Sequence, residues 1–194
     1  RVMDATGKYV LCDCTGYRLD GTDTEPSMYV GIIINRSLAD TTDSVTGLGD
    51  VHALVNAIGE MRRVAREAGF IAIKVDDIAE VNARFGFDAG DRVLAESAAC
   101  LMDCSRGKGR LFRSTGPTFV ALFDELGPEA IDEIASDIER FLGSPVLIGS
   151  LEYQPPIRVA TLHLDGVDRQ PVSILNELKA LLGKAVQVPG TKLD

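Results

Sequence analysis

The order of periodicities along the chain predicts an α+β fold, a mostly antiparallel central sheet with helices packed around it. Three observations carry that prediction. Helical spacing and strand alternation succeed one another as helix, strand, paired helices, hairpin, helix, hairpin, helix. Turn residues separate several strand pairs by only a few positions, as hairpins require. The 194 residues, 45% apolar and 25% charged, suffice for one good-sized core and an extra segment.

Residues 1–40 read as strands and turns. Lys8-Tyr9-Val10-Leu11-Cys12-Asp13-Cys14 alternates, residues 17–26 are polar and turn-rich, and residues 28–35 form a buried strand candidate. Thr41-Thr42-Asp43-Ser44 breaks the pattern, as a linker or helix cap does. Residues 50–66 place Val51, Leu54, Val55, Ile58, Met61, Val64 and Ala65 at helical spacing, and Gly69 ends the helix. In the strand at residues 70–75, Ile71, Ile73 and Val75 share one face while Lys74 and Asp76 share the other. Helices are therefore expected on one side of the sheet.

A short helix follows through Ile78, Val81 and Phe85, and a longer one from Asp91 to about Cys104. Leu111-Phe112-Arg113 and Phe119-Val120-Ala121-Leu122-Phe123 then flank Ser114-Thr115-Gly116-Pro117-Thr118, turn chemistry without an acid. Gly127-Pro128 opens a helix that buries Ile131, Ile134, Ile138, Phe141 and Leu142. Residues 146–153 and 157–164 read as a second hairpin, and Pro171 starts a last helix through Ile174, Leu175, Leu178 and Leu181.

Bulk properties exclude some functions. A net charge of −9 and a pI near 4.7 argue against non-specific binding to nucleic acid or anionic lipid. No apolar run reaches membrane-spanning length and no signal-peptide pattern is present, so a cytoplasmic location is expected. The chain opens on Arg1, not Met, which suggests a segment of something longer. Cys12/Cys14 and Cys100/Cys104 are poorly spaced for a zinc site and read as reduced, structural thiols. His52 and His163 lie far apart in sequence, without metal-ligand spacing. There is no Walker-type phosphate loop, nucleophile elbow or credible catalytic triad.

Three segments carry a resemblance. Asp43-Ser44-Val45-Thr46-Gly47-Leu48 resembles the D-x-L-T-G-L opening of the GGDEF nucleotide cyclases. Asn82-Ala83-Arg84-Phe85-Gly86-Phe87-Asp88-Ala89-Gly90-Asp91-Arg92-Val93-Leu94 is similar to that family's I-N-D-x-Y-G-H-x-x-G-D-x-V-L. Residues 113–119 stand where R-x-G-G-D/E-E-F belongs. The segments occur in the family's order and spacing and imply its ferredoxin-like palm over residues 41–188. Tyr29-Val30-Gly31-Ile32-Ile33-Ile34-Asn35-Arg36-Ser37 resembles the closing strands of a PAS sensor, and residues 189–194 read as linker.

Active members of the family condense two GTP molecules into cyclic di-GMP across a dimer, with divalent metal held by two carboxylates. The resemblance assigns those positions to Lys74 and Pro117. An ammonium repels a metal ion, and proline offers neither ligand nor N–H. Asp76 alone is a poor substitute. Thr115 replaces one of two glycines, and Pro117 biases Gly116 toward extended backbone. The guanine-reading positions correspond to Asn82 and Asp91, although a structural role, Asn82 fixing a helix end and Asp91 as an N-cap, is the favoured reading of both. Ala79, Ala83 and Phe87 replace other family residues. The inhibitory R-x-x-D falls on Arg106-Gly107-Lys108-Gly109, without the acid. The basic C-terminal run is only loosely echoed by Leu181-Leu182-Gly183-Lys184-Ala185-Val186.

The resemblance thus implies a catalytically silent signalling domain with no catalytic or metal residues and no magnesium. It would relay a sensor's signal through homodimerisation or to a downstream domain such as an EAL phosphodiesterase. Two alternatives stand beside it. One is a metal-independent, weak guanine-nucleotide module using Asn82, Asp91 and Lys74, with GTP as regulatory ligand. The other is an active cyclase with non-standard metal ligands such as Asp76.

Overall fold

The computed structural model describes residues 41–64, 67–105, 107–142, 145–166 and 169–191. Upstream it describes four strands, Val2–Met3 (β1), Tyr9–Val10 (β2), Cys12–Leu19 (β3) and Met28–Asn35 (β4). Residues 1–40 and 41–194 form two units. In the first, β1 pairs antiparallel with β2 and β3 with β4. Strand β3 runs on through Gly16 and Tyr17, beyond the expected start of the polar turn. Tyr17 there pairs with Val30, both residue types that favour strands.

The second unit contains Val51–Val64 (α1), Glu67–Val75 (β5), Ile78–Phe85 (α2), Phe87–Ser105 (α3), Arg110–Thr115 (β6) and Thr118–Asp124 (β7). It continues with Pro128–Leu142 (α4), Val146–Ile148 (β8), Leu151–Tyr153 (β9), Ile157–Asp165 (β10), Pro171–Lys184 (α5) and Gln187–Val188 (β11). The main sheet has the order β11-β10-β5-β7-β6, with every neighbour antiparallel. The α+β class and antiparallel sheet agree with expectation.

Helices cover both faces of this sheet, not one. Strand β5 is central and buried along nearly its whole length. Ile71, Ile73 and Val75 join Val93, Leu101, Ile131 and Ile138 of α3 and α4 in one core. Phe70 and Ala72 join Leu54, Ile58 and Met61 of α1 and Ile174 and Leu178 of α5 in another. The uninterrupted apolar run Phe70-Ile71-Ala72-Ile73 fits a strand packed on both sides. Lys74 and Asp76 made one face look polar only because they stand at the strand's end.

Other boundaries differ for local reasons. Gly69 does not end a helix; it lies inside β5 opposite Phe123 and His163, where an added Cβ would come 2.3 Å from Ile131 Cδ1. The expected second hairpin is two separate pieces. Strands β8 and β9 close on themselves through Gly149, whose φ of 62° suits a tight turn, while β10 pairs with β5. Phe141 is 47% exposed, since α4 buries Ile131, Ala135, Ile138 and Leu142 instead. Helix α3 begins at Phe87, four residues before the expected start, right after Gly86 breaks α2 with φ 88°.

The close approach of β5 to α4 at Gly69 yields a prediction. Gly69→Val should destabilise the domain by about 1–3 kcal/mol through overpacking. Urea denaturation should show the loss, and Ile131→Ala in the same chain should recover part of it. Equal losses with and without Ile131→Ala would contradict this contact.

Candidate functional site

The site is built where four neighbouring strands end together. Lys74 on β5 lies opposite Thr118 on β7 and Arg158 on β10, and Arg158 lies opposite Gln187 on β11. Side chains at paired positions leave a sheet on the same face, so register alone sets Lys74 beside Arg158. Asp76, one residue past the end of β5, turns back onto this row. Its backbone N–H donates to Pro156 O at 2.8 Å, which fixes its position.

Three donors converge on the Asp76 carboxylate. Lys74 Nζ donates to Oδ1 at 2.6 Å, while Arg158 Nε and Gln187 Nε2 both donate to Oδ2 at 2.8 Å. The Asp76 side chain is only 7% exposed. Burial by itself would raise its carboxyl, but the hydrogen bonds from Lys74, Arg158 and Gln187 outweigh burial and hold it below the ordinary range. Its anionic form is the one the site is built around.

The turn beside it is held by a second carboxylate. Asp43 Oδ1 accepts from Thr46 N–H at 2.9 Å and Thr46 Oγ1 at 2.7 Å, and from Arg113 Nη1 at 3.0 Å. Arg113 Nε in turn donates to the Gly116 carbonyl at 2.8 Å. Here again burial would raise the Asp43 carboxyl, and Thr46 with Arg113 more than offsets it. Gly116 adopts φ 54°, not the extended backbone expected before proline. A two-residue hairpin turn asks for positive φ at its first position, and glycine meets that demand while Pro117 supplies the fixed negative φ that follows.

Two clefts flank this arrangement, and Lys74 lines both. One, of about 540 Å³, is bounded by Lys74, Asp76, Asp77, Glu80, Asn82 and Pro117. The other, of about 430 Å³, is lined by Lys74, Thr115, Thr118, Arg158, Lys179 and Gly183, among others. The second combines three cations, Lys74, Arg158 and Lys179, with a mainly apolar lining that includes Val120, Leu175, Leu178 and Leu182.

The expected nucleotide residues separate. Asn82 shares the first cleft with Lys74; its Oδ1 is buried without a hydrogen-bond partner, and a Cβ on Gly90 would come within 1.9 Å of it. Asp91 lies within α3, exposed and outside that cleft's lining. Because α3 starts at Phe87, Asp91 is not its N-cap. Arg106 of the expected inhibitory motif lies outside the described residues.

The residues present do not fit a magnesium ion. Lys74 and Pro117 offer no ligating oxygen side chain, and both Asp76 oxygens already accept strong hydrogen bonds. Asp77 and Glu80 at the cleft rim are exposed, and Glu80 pairs with Arg84 at 3.0 Å. Elsewhere, Cys100 and Cys104 are unbridged, with sulfurs 4.0 Å apart one helical turn from each other. Burial, then Cys104, pushes the Cys100 thiol up to about 12, so it is protonated and unreactive at neutral pH. No described helix is long and apolar enough to cross a membrane.

Sequence reasoning found Lys74, Asp76 and Asn82 but missed Arg158, Gln187 and Lys179. Arg158 and Gln187 reach Asp76 from 82 and 111 residues away, and only strand register reveals them.

A ferredoxin-like antiparallel palm with a short β-turn beside the end of its central strand defines a nucleotide-cyclase-type domain. The family model for the diguanylate cyclase GGDEF domain matches residues 40–159, and the chain belongs to that family. Over 119 residues it is 29% identical to the cyclic di-GMP phosphodiesterase PdeR of Escherichia coli K12, covering 60% of this chain and 18% of that one. Over 84 residues it is 29% identical to the diguanylate cyclase DgcS of Shewanella oneidensis MR-1, covering 41% and 28%. The chain thus spans under a third of either relative's length. Among solved structures, the FimX GGDEF domain of Pseudomonas aeruginosa superposes with TM-score 0.71 at 16% identity, covering 76% of this chain and 94% of that one. The diguanylate cyclase SiaD of the same organism, solved with its activator SiaC, gives 0.70 at 20% identity, covering 76% and 58%.

The lowered carboxyls predict an acid limb. For a group whose folded value is depressed, the unfolded chain takes up protons first. The stabilisation is therefore present above the ordinary aspartate range and is lost as pH falls through the folded value. The urea midpoint should hold near neutrality and decline from about pH 4 downward. Asp76→Asn should cost about 1–3 kcal/mol at pH 7 and make the decline shallower. Lys74 and Arg158 are 43% and 33% exposed, so water takes up part of the released charge.

Proposed function

We propose that residues 41–188 form a catalytically silent GGDEF domain of a cyclic di-GMP signalling protein. Its work is regulatory: it relays a signal from an upstream sensor segment through dimerisation, or to a downstream domain. The observation that carries this reading is the Lys74–Asp76–Arg158 cluster. The position where family resemblance expects a metal carboxylate holds an ammonium, 2.6 Å from the nearest remaining acid. An internal cation there gives the fold the charge balance an ion would bring, without a Lewis acid to promote attack on an α-phosphate. Pro117 in the turn removes the other expected ligand. The similarity to a stretch of PdeR, named as a phosphodiesterase, supports a place within a longer protein of that kind. The SiaD structure, with its bound activator, supports regulation by a partner.

One observation favours a second reading, weak metal-independent binding of a guanine nucleotide. Lys74 lines both the cleft that holds Asn82 and the basic cleft of Arg158 and Lys179. A base in the first and phosphates in the second would both touch it. A cyclase relying on Asp76 is less well supported, since that carboxylate's oxygens are both engaged.

The test uses the purified chain with GTP and manganese. No cyclic di-GMP is expected, and appreciable product would overturn the silent reading. Calorimetry with GTP then separates the other two. Magnesium-independent heat, lost in Asn82→Ala or Lys74→Ala, supports the binding module. No heat at high micromolar protein leaves the relay.

A further inference from the structure

At the opposite end of the same strands lies a cluster that the functional site does not use. Glu67 opens β5 and Asp165 closes β10, and their Cα atoms are register partners. His163 lies two residues before Asp165, so all three side chains leave the sheet on one face. His163 Nε2 is 3.6 Å from Glu67 Oε2, and its Nδ1 is 3.6 Å from Asp165 Oδ1. Both separations exceed a hydrogen bond. Nε2 is buried and has no hydrogen-bond partner. One donor atom from each residue falls within 4.8 Å of the others.

The Glu67–Nε2 spacing suits an ion held between those two atoms better than direct contact, while Asp165 flanks the other ring nitrogen, Nδ1. Nitrogen and oxygen ligands held ~2.0–2.2 Å from a tetrahedral metal lie ~3.3–3.6 Å from one another. We propose that His163 Nε2 and Glu67 bind a divalent transition-metal ion at the open end of the β5–β10 ladder, with Asp165 at Nδ1 orienting the imidazole. An imidazole ligand beside a carboxylate selects zinc, nickel or cobalt over magnesium and calcium, which prefer all-oxygen shells. Water completes the coordination. Seven residues of strand, ~23 Å, separate this place from Lys74, so it is independent of the nucleotide-type clefts.

The site has a mechanical role. Strand β11 pairs with Ile157 and Arg158 of β10, and among the described residues the His163–Asp165 end has no strand partner on that side. An ion there fastens β10 to β5 where the ladder is least supported.

Cobalt(II) titration of the chain, read by visible d–d absorption and by the thermal unfolding midpoint, tests the proposal. Saturable binding of one ion, without a sulfur-to-cobalt charge-transfer band, and a raised midpoint are expected. His163→Ala should abolish both signals. Glu67→Gln and Asp165→Asn should weaken binding by on the order of 10- to 100-fold. Asp165 is 93% exposed, so its substitution leaves the fold intact even where His163→Ala does not. Absence of saturable binding overturns the site. So does binding that carries a thiolate band, or that all three substitutions leave unchanged, since the ion then sits at cysteines or elsewhere.

Discussion

Strand register brings two cations together, and Asp76 is what makes that tolerable. Lys74 and Arg158 are direct partners on β5 and β10, and like charges at paired positions repel. Asp76 lies between them and accepts from both, with Gln187 of β11 as a third donor. One buried carboxylate thus ties together the ends of three adjacent strands. The same contacts decide the chemistry available there. An aspartate that accepts from an ammonium, a guanidinium and an amide keeps its free acceptor position on Oδ1, beside the Lys74 ammonium, which repels an external cation.

The neighbouring turn depends on a parallel device. Arg113 links Asp43, seventy residues upstream, to the carbonyl of Gly116. This link holds the β6–β7 turn in place, so the turn persists without the acids the family's signature carries. Strand β5 is packed on both sides: α1 and α5 close one face and α3 and α4 the other.

Much of this was legible in the residues themselves. Three motif segments in register, from Asp43, Asn82 and Arg113, pointed to the family, and Lys74 with Pro117 marked where its metal ligands would be. What escaped was set by tertiary packing. Gly69 looked like a helix stop but makes room for Ile131 inside a strand. Gly90-Asp91 looked like a helix start, yet Gly86 breaks the chain earlier and α3 absorbs Asp91. Residues 157–165 cross to pair with β5, a long-range partnership that local turn signals cannot disclose. His163 had no metal-like spacing along the chain because its carboxylate neighbour Glu67 comes from a strand 96 residues away, placed beside it only by antiparallel register.

The most direct measurement concerns Asp76 itself. Manganese(II) titrated into the isotope-labelled chain broadens backbone amide resonances close to any bound ion. With Lys74 holding Asp76, the amides of Lys74, Asp76 and Thr118 should keep their intensity throughout the titration, whatever happens near Glu67 and His163. Saturable broadening centred on Asp76 and Thr118 would show that the lysine yields to a metal, and would contradict the silent site proposed above.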